Sequence, residues 1–324
     1  MNSNLKKALV LMFVIMIVGS SLVFGKPATK RISIGTADSA GVYYIYGGGI
    51  AKVISAYVPN TTATAEVTPG AVDNIKLMNN DTLDIAFTKL DIAADAVNGR
   101  GPFVKEGKMS VRVIAKLYYD VAHAVVSTSS GITSIEEMKG KRISTSQPGS
   151  GHELVASKLL EAAGLNWEKD IRRERISLKE SGDAFKDGKI DGFFFATGMP
   201  AAAMLDICNT QGLSYMLLDL EKYNAAITRK YGKIYDLLTI PKGTYAKMER
   251  DVKTVGIPVL LVAQKSTDKE LVYNITKALF EHQQELIAVH KEAKSLTLEN
   301  ASSVTVVPYH PGALQYYKEK GVIK

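Results

Sequence analysis

The sequence alternates short apolar stretches with amphipathic ones, and turns rich in glycine, serine, threonine or proline separate them. Residues 31–35 have the period-two pattern of a strand, and residues 42–57 have the pattern of a helix. Residues 62–67, 71–79 and 83–87 repeat strand, helix and strand. Because a helix usually joins successive parallel strands, this order predicts an α/β fold with a parallel sheet covered by helices.

A second open α/β unit follows the first. We expect the chain to leave the first unit near Asp120, to build the second, and to return through a strand at 254–262. Two such crossings form a hinge between two lobes, and ligands of open α/β sheets bind beyond the carboxyl ends of strands. The other predicted elements are strands at 111–117, 122–127, 142–145, 175–178 and 192–196, and helices at 132–141, 151–163, 181–186 and 268–290.

The N-terminus has the three parts of a secretory signal peptide. Lys6 and Lys7 precede an apolar run at 8–18, and a possible cleavage point with a small residue follows at 23–25. We therefore predict a signal peptide at 1–25 and a mature start near Lys26, with a retained N-terminal anchor as the alternative. The expected domains are lobe 1 at 26–121 and 263–324 and lobe 2 at 122–262.

The location follows from the same features. After the signal, no segment of the sequence approaches the length of a membrane span, so we expect an exported protein. Cys208, the single cysteine, lies too far downstream to carry a lipid anchor and has no partner for an internal disulfide. We therefore expect the protein in the periplasm, closed off by an outer membrane.

Composition and charge restrict the class of partner. The chain is 46% hydrophobic and 23% charged, which is enough apolar material for a sizeable core. The net charge of +7 is scattered, apart from the basic run at 172–175, and no aromatic residues are interleaved with it. This pattern is typical of a solvated face rather than of a nucleic-acid interface, and a mild positive excess favours small anionic ligands.

Five loops that leave predicted strands carry the functional signal: 35–44, 68–71, 88–91, 147–153 and 196–200. Each offers hydroxyls, small residues or accessible backbone amides, which bind a carboxylate without burying several unpaired charges. Any one of their glycines also fits ordinary turn geometry, and Ser39 and Ser150 fit helix N-caps as well as ligand contacts. Either Tyr43 or Tyr44 should face the core. Lys89, the only cation on these loops, either pairs with a ligand carboxylate or is solvated.

The sequence gives little support to catalysis. Ser150, His152 and Glu153 are too close in one turn to converge, and the Gly-x-Ser-x-Gly elbow is absent. The three glycines at 47–49 lack the Gly-Lys-Ser/Thr of a phosphate loop, so we interpret them as close packing of a helix on the sheet. The histidines have no paired ligand spacing. We therefore predict binding without an enzymatic activity, a cofactor or a metal.

At these loops the sequence resembles the TAXI family, the solute receptors of tripartite ATP-independent periplasmic (TRAP) transporters. The resemblance implies a type II periplasmic binding fold with a hinged cleft, no enzymatic activity, and delivery of ligand to a TRAP permease driven by an ion gradient, commonly sodium. Glutamate, related amino acids and small carboxylates are family ligands. The segments that carry the resemblance are 34–44 (IGTADSAGVYY), 47–49, 67–74, 84–87, 148–153 (PGSGHE), 178–182, 187–195, 240–245, 276–281 and 310–312.

The resemblance also implies the ligand contacts. Asp38, Lys89 and His152 depart from residues usual in relatives, where a small residue, glutamine and threonine are common. Asp38 would favour an ammonium group and Lys89 a carboxylate, so we expect an amino acid, unless the two pair with each other. The implied ligand-binding residues are Gly35, Thr36, Ser39, Tyr43, Gly70, Thr88, Lys89, Pro148, Gly149, Ser150, Gly151, Thr197, Gly198 and Tyr245.

Two other classes remain open. An enzyme of the same two-lobed architecture would turn over a bound ligand. A surface antigen that acts through protein contacts would bind no small molecule, and some family members were first described as immunogenic surface antigens. Because a receptor that must close is usually monomeric, we expect a monomer.

Overall fold

A computed structural model describes residues 29–37, residue 39 and residues 42–323. The predicted signal peptide at 1–25 lies outside the described residues, as do Asp38, Ala40, Gly41 and Lys324. None of the helices in the described part has the length and apolar character needed to cross a membrane.

The strands form one mixed sheet in the order β2-β1-β3-β10-β4-β7-β5-β6, with β8 paired to β4 and β9 paired to β10. Two long strands, β4 and β10, lie at its centre and pair with each other antiparallel over most of their length. The strands are β1 Lys30–Gly35, β2 Thr61–Glu66, β3 Ile85–Lys89, β4 Val111–Ser127, β5 Arg142–Ser144, β6 Arg172–Glu174, β7 Gly192–Thr197, β8 Tyr215–Leu217, β9 Asp236–Ile240 and β10 Val252–Gln264.

Helices and short 3₁₀ turns connect these strands. The 3₁₀ turns are Gly101–Phe103, Thr128–Ser130, Glu136–Met138 and Lys291–Ser295. The α-helices are α1 Val42–Tyr57, α2 Ala71–Asn79, α3 Leu90–Asn98, α4 Gly151–Ala162, α5 Leu178–Lys186, α6 Ala202–Asn209, α7 Glu221–Tyr231, α8 Lys269–Glu281, α9 Gln283–Val289, α10 Leu298–Ala301 and α11 Pro311–Glu319.

The predicted α/β class is confirmed, but the sheet is not purely parallel. β1 pairs parallel with β3, and β5 pairs parallel with β6 and β7. In contrast, β10 runs antiparallel to β3, and β4 runs antiparallel to β7. The two central strands therefore join the parallel groups on either side of them into one sheet.

Several predicted bounds were wrong for identifiable reasons. The strands expected at 111–117 and 122–127 are one strand, because residues 118–121 continue the pairing with β10. The strand expected at 175–178 ends at Glu174, because Ser177 and Glu180 form a reciprocal capping box that starts α5. The helix expected at 268–290 is broken at His282, and only a 3₁₀ turn forms within 132–141.

The sheet centre is buried on both faces, which explains its continuous apolar strands. All five residues of β3 are buried, and residues 254–263 of β10 are buried without interruption. Strands covered on both faces are expected to lose the alternation of polar and apolar residues. The helices therefore cover a sheet that carries most of the core.

Of the three glycines at 47–49, which the sequence predicted to pack a helix on the sheet, only Gly47 does so; Gly49 faces another helix and Gly48 is exposed. A Cβ on Gly47 would lie 2.6 Å from the Thr36 methyl and 3.3 Å from the Phe87 ring. A Cβ on Gly49 would lie 3.1 Å from Val289, whereas a Cβ on Gly48 would meet nothing within 4 Å. Gly47 thus lets α1 approach the loop after β1, where Thr36 lies.

These neighbouring glycines make a matched pair of variants. Gly47→Ala should lower the free energy of unfolding by about 1–3 kcal/mol, because the methyl group overpacks a buried contact. Gly48→Ala should raise it by up to about 1 kcal/mol, because alanine favours an exposed helical position. Urea denaturation of both variants measures the difference. Equal effects would show that α1 does not depend on this approach.

Candidate ligand-binding site

A cavity of about 250 Å³ lies beyond the carboxyl ends of β1, β3 and β7, and residues from all five loops singled out in the sequence line it. Loop 35–44 supplies Tyr43 and loop 88–91 supplies Lys89, while the central strand β4 adds Tyr118 and Asp120. The remaining lining residues are Ala37, Val42, Pro69, Gly70, Ala71, Gln147, Ser150, Gly151, His152, Ala196 and Thr197.

The structure brings some of the implied ligand-binding residues together in the cavity lining and leaves others outside it. The residues that line it are Tyr43, Gly70, Lys89, Ser150, Gly151 and Thr197. Those that do not are Gly35, Thr36, Ser39, Thr88, Pro148, Gly149, Gly198 and Tyr245.

Two threonine hydroxyls at the ends of β1 and β3 donate to backbone carbonyls of the protein. The Thr36 hydroxyl donates to the Glu66 carbonyl at 2.6 Å, and the Thr88 hydroxyl donates to the Ala71 carbonyl at 3.2 Å. Both threonines are fully buried. The Asn74 side-chain amide donates to the Thr36 and Phe87 carbonyls, at 2.7 and 2.8 Å. These bonds fix the position of the loops after β1 and β3.

Tyr245 also supports the site from a distance. Its hydroxyl accepts a hydrogen bond from the Ala201 amide at 3.0 Å and lies 2.9 Å from Nε2 of His123. The other ring nitrogen of His123 lies 2.8 Å from the Val121 carbonyl, so the ring donates there and accepts from Tyr245. Burial lowers the pKa of His123 to about 4, which keeps the ring neutral. This chain of bonds links β4 to the start of α6.

A buried ion pair forms the polar floor of the cavity. Nζ of Lys89 lies 2.8 Å from Oδ2 of Asp120, and the two residues are only 4% and 5% exposed. The same ammonium group donates to the Ala196 carbonyl on β7 at 3.4 Å. Burial raises the pKa of the Asp120 carboxyl, and Lys89 opposes that rise. Lys89 therefore has a partner other than Asp38, which lies outside the described residues.

Two tyrosine hydroxyls beside this pair have no hydrogen-bond partner in the described part of the chain. Tyr43 and Tyr118 line the cavity, and their buried hydroxyls accept and donate nothing there. Burial raises the pKa of both phenols, so they stay protonated and able to donate. A buried hydroxyl without a partner is costly, which indicates that a ligand can use these groups.

The turn before α4 presents further polar groups. Ser150 is the N-cap of α4, since its hydroxyl accepts from the Glu153 amide at 3.2 Å, and it also lines the cavity. Nδ1 of His152 accepts from the Ala196 amide at 3.1 Å. Burial, followed by the nearby Lys89 charge, lowers the pKa of His152 to about 3. The ring is therefore neutral at pH 7 and carries its hydrogen on Nε2 as a donor.

The absence of a side chain at Gly151 leaves room for the Lys89 side chain. A Cβ at Gly151 would lie 2.8 Å from Cε and 3.2 Å from Nζ of Lys89, so a side chain there would displace the ammonium group. Gly70 has a φ of 132°, which residues with a Cβ rarely adopt. These two glycines are thus explained by close approach and backbone conformation.

The sequence analysis missed Tyr118 and Asp120 as site residues. The available signal was the single carboxylate of a mostly apolar strand, since β4 reads VRVIAKLYYDVAHAVVS. A buried strand rarely carries a carboxylate without a partner. Among the described residues, no three histidine, cysteine, aspartate or glutamate side chains lie close enough together to hold a metal ion.

The ion pair predicts a strong coupling between its members. Lys89→Met should destabilise the protein by about 3–5 kcal/mol, because it leaves Asp120 buried and unpaired. The double variant Lys89→Met with Asp120→Asn should cost less than the sum of the single variants by about 1 kcal/mol or more. Urea denaturation of the four proteins gives the coupling energy. Additive costs would mean that the two charges do not interact.

His152 predicts a pH dependence of stability. Its folded pKa of about 3 lies below the unfolded value of about 6.5, so the unfolded chain binds the proton more readily. The stabilisation is complete above pH ~6.5 and is lost as the pH falls, at up to about 1.4 kcal/mol per pH unit. Between pH 7 and 4.5, the free energy of unfolding of His152→Thr should therefore fall by about 2 kcal/mol less than that of the wild type. If urea denaturation shows that both proteins lose the same free energy of unfolding between pH 7 and 4.5, the fold does not hold the His152 ring neutral.

Three solved structures are similar to this chain. A protein of Xanthomonas citri solved with a bound chloride ion has the same fold, with 10% identity, a TM-score of 0.54, and coverage of 90% of this chain and 97% of that one. The periplasmic aliphatic sulphonate binding protein SsuA of Escherichia coli matches with 14% identity, a TM-score of 0.49, and coverage of 91% and 94%. A TctC solute binding protein of Polaromonas matches with 17% identity, a TM-score of 0.48, and coverage of 82% and 88%.

The family is shown by a match that spans nearly all of the described residues. The sequence fits the model of the NMT1-like family from residue 34 to residue 321. The mixed α/β sheet and the cavity at the strand ends agree with that assignment. The chain therefore belongs to the NMT1-like family, a family of periplasmic solute-binding proteins.

Proposed function

We propose that the protein is a periplasmic receptor for a small anionic solute, namely glutamate or a related amino acid or carboxylate, which it delivers to a TRAP permease. The observation that carries this proposal is the cavity whose floor is the Lys89–Asp120 pair and whose wall holds two tyrosine hydroxyls without partners in the described residues. Such a site offers buried hydrogen-bond donors to a carboxylate.

The ion pair favours a ligand that carries both charges. Lys89 and Asp120 neutralise each other, so the floor has strong local fields but no net charge. An α-amino acid fits this arrangement, because its carboxylate accepts hydrogen bonds from Lys89 and its ammonium group donates to Asp120. Asp120 thus takes the part that the sequence assigned to Asp38.

A second carboxylate, as in glutamate, needs further donors. The hydroxyls of Tyr43 and Tyr118 and the Nε2 hydrogen of neutral His152 are uncharged donors on lining residues. Backbone amides at the start of α4 add the positive end of a helix dipole. Neutral donors of this kind bind an anion without repelling the ammonium group of the same ligand.

We propose that binding closes two lobes, lobe 1 at 26–121 and 263–324 and lobe 2 at 122–262. Lys89 contacts the Ala196 carbonyl across the cavity, and Nζ of Lys158 on α4 lies 2.9 Å from Oδ2 of Asp95 on α3. A ligand that touches both sides stabilises the closed state more than the open one. The strands β4 and β10 connect the lobes and act as the hinge. A closed monomer is then the form that the permease recognises.

Export is part of the same proposal. The sequence at 1–25 would direct the chain to the periplasm, where it would be cleaved near Lys26 and meet the permease. The cavity holds the ligand by hydrogen bonds and charge without a reactive group activated for turnover, so we propose binding and release rather than catalysis.

The tyrosine hydroxyls provide a sharp test. Protein stripped of ligand by denaturation and refolding is heated with a panel of amino acids, dicarboxylates and other small anions. A ligand at ~100-fold its dissociation constant should add about 2.7 kcal/mol and raise the thermal midpoint by several degrees. Tyr43→Phe and Tyr118→Phe should each weaken binding roughly 10- to 100-fold, because a hydrogen bond to a charged group is lost.

Tyr46→Phe is the matched control. Its hydroxyl is also buried without a partner among the described residues, but Tyr46 does not line the cavity. All three variants should be as stable as the wild type without ligand, since each removes an unsatisfied polar atom. Binding that persists in Tyr43→Phe and Tyr118→Phe would contradict the assigned site. No midpoint shift across the panel would contradict the small-anion receptor and favour a surface antigen.

A further inference from the structure

A second cavity lies on the opposite face of the hinge strand β4. Tyr118 lines the ligand cavity, whereas the next residue, Tyr119, lines a separate cavity of about 280 Å³. Consecutive residues of a strand point to opposite faces of the sheet. The pairing of β4 with β10 is irregular here, because Leu117 is an extra residue between Lys116 and Tyr118. As a result, Lys116 lies on the same face of the sheet as Tyr119 and lines the same cavity. We call this second space the back cavity.

Lys116 is the notable group in the back cavity. It is only 4% exposed, and Nζ donates to the Tyr119 hydroxyl at 2.8 Å. No carboxylate of the described residues lies within 4 Å of this ammonium group, unlike the buried lysines Lys89 and Lys158. A buried ammonium group is costly unless it is paired. Two of its three N–H donors have no acceptor in the described part of the chain.

The other charges around Lys116 leave it uncompensated. The Tyr119 hydroxyl donates to Oδ2 of Asp236 at 2.6 Å, and Nζ of Lys233 lies 3.4 Å from Oδ1 of Asp236. Asp236 is therefore already engaged by one tyrosine and one lysine. Burial lowers the pKa of Lys116, and Asp236 opposes this without contacting it. The charged groups that line the back cavity, two lysines and one aspartate, sum to a single positive charge.

Polar and apolar side chains share the walls of the back cavity. Leu90, Pro258 and Val304 line it, and the Thr305 hydroxyl makes no hydrogen bond to another described residue. The volume exceeds what a few waters need, since a water occupies about 30 Å³ of liquid. One positive charge, one free hydroxyl and three apolar side chains suit a monoanion with a short hydrocarbon chain better than a phosphate dianion.

We propose that the back cavity binds a small organic carboxylate, with the Lys116 ammonium group as its ion-pair partner. The carboxylate accepts the two free N–H groups of Lys116 and the Thr305 hydroxyl, and its hydrocarbon part packs against Leu90 and Val304. Residues from segments 116–119, 233–236 and 303–305 line this cavity together, so an occupant joins the hinge strand to both neighbouring segments. This site is separate from the proposed solute site and does not depend on its function.

The test follows Lys116 directly by NMR. The purified protein is labelled with ¹³C at Cε of lysine and titrated with sodium propionate, while sodium chloride keeps the ionic strength constant. The Lys116 signal, assigned by its loss in Lys116→Met, should shift to saturation with propionate. A signal that does not move, or that moves equally with chloride alone, would overturn the proposal.

Two variants locate the binding. Lys116→Met keeps an apolar chain of similar length, and it should weaken propionate binding roughly tenfold or more in isothermal titration calorimetry, as expected for the loss of a charged hydrogen bond. Tyr43→Phe changes only the proposed solute site, so propionate should still shift the Lys116 NMR signal. A shift that disappears in Tyr43→Phe would place propionate in the solute site and overturn the proposal. If Lys116→Met does not fold, Lys116→Arg assigns the signal instead, because arginine keeps the positive charge and carries no lysine label, and the wild-type titration then decides.

Discussion

The contact between Lys89 and Asp120 ties together the parts of the molecule that form the site. Lys89 ends β3, Asp120 lies in the middle of β4, and the Ala196 carbonyl that shares the ammonium group belongs to β7. A buried pair of this kind is tolerated only when its geometry and remaining hydrogen bonds are satisfied. Gly151 lacks a side chain where Lys89 passes, so the start of α4 is adapted to the same contact. The pair leaves a polar cavity floor without net charge.

The succession of strands, turns and helices along the sequence was enough to predict which loops form the cavity. Strand, turn and helix follow one another within a few residues, so the sequence placed each of the five loops at the carboxyl end of a strand, and residues from all five line one cavity. It also identified the packing role of Gly47. In both cases the relevant contacts follow from neighbouring elements or from the general rule for open α/β sheets.

The residues that sequence reasoning missed depend on longer-range geometry. Whether Tyr118 or Tyr119 faces the ligand is set by the register of β4 against β10, and an irregularity at Leu117 changes it. The partner of Lys89 lies 31 residues away on another strand, which composition cannot reveal. Thr36 and Thr88 look like ligand groups in the sequence, yet their hydroxyls bond to carbonyls of the loops they support. Backbone satisfaction competes with ligand binding for the same hydroxyls.

The central claim is that the cavity above Lys89 and Asp120 holds one small solute with a carboxylate group. Mass spectrometry tests it most directly: the protein is purified without denaturation, weighed intact under native conditions, and then denatured so that any bound molecule is released and identified. The account predicts one amino acid or carboxylate per chain, with the adduct lost from Tyr118→Phe and retained in Tyr46→Phe. A bound molecule without a carboxylate, or an adduct equally retained in both variants, would contradict the account.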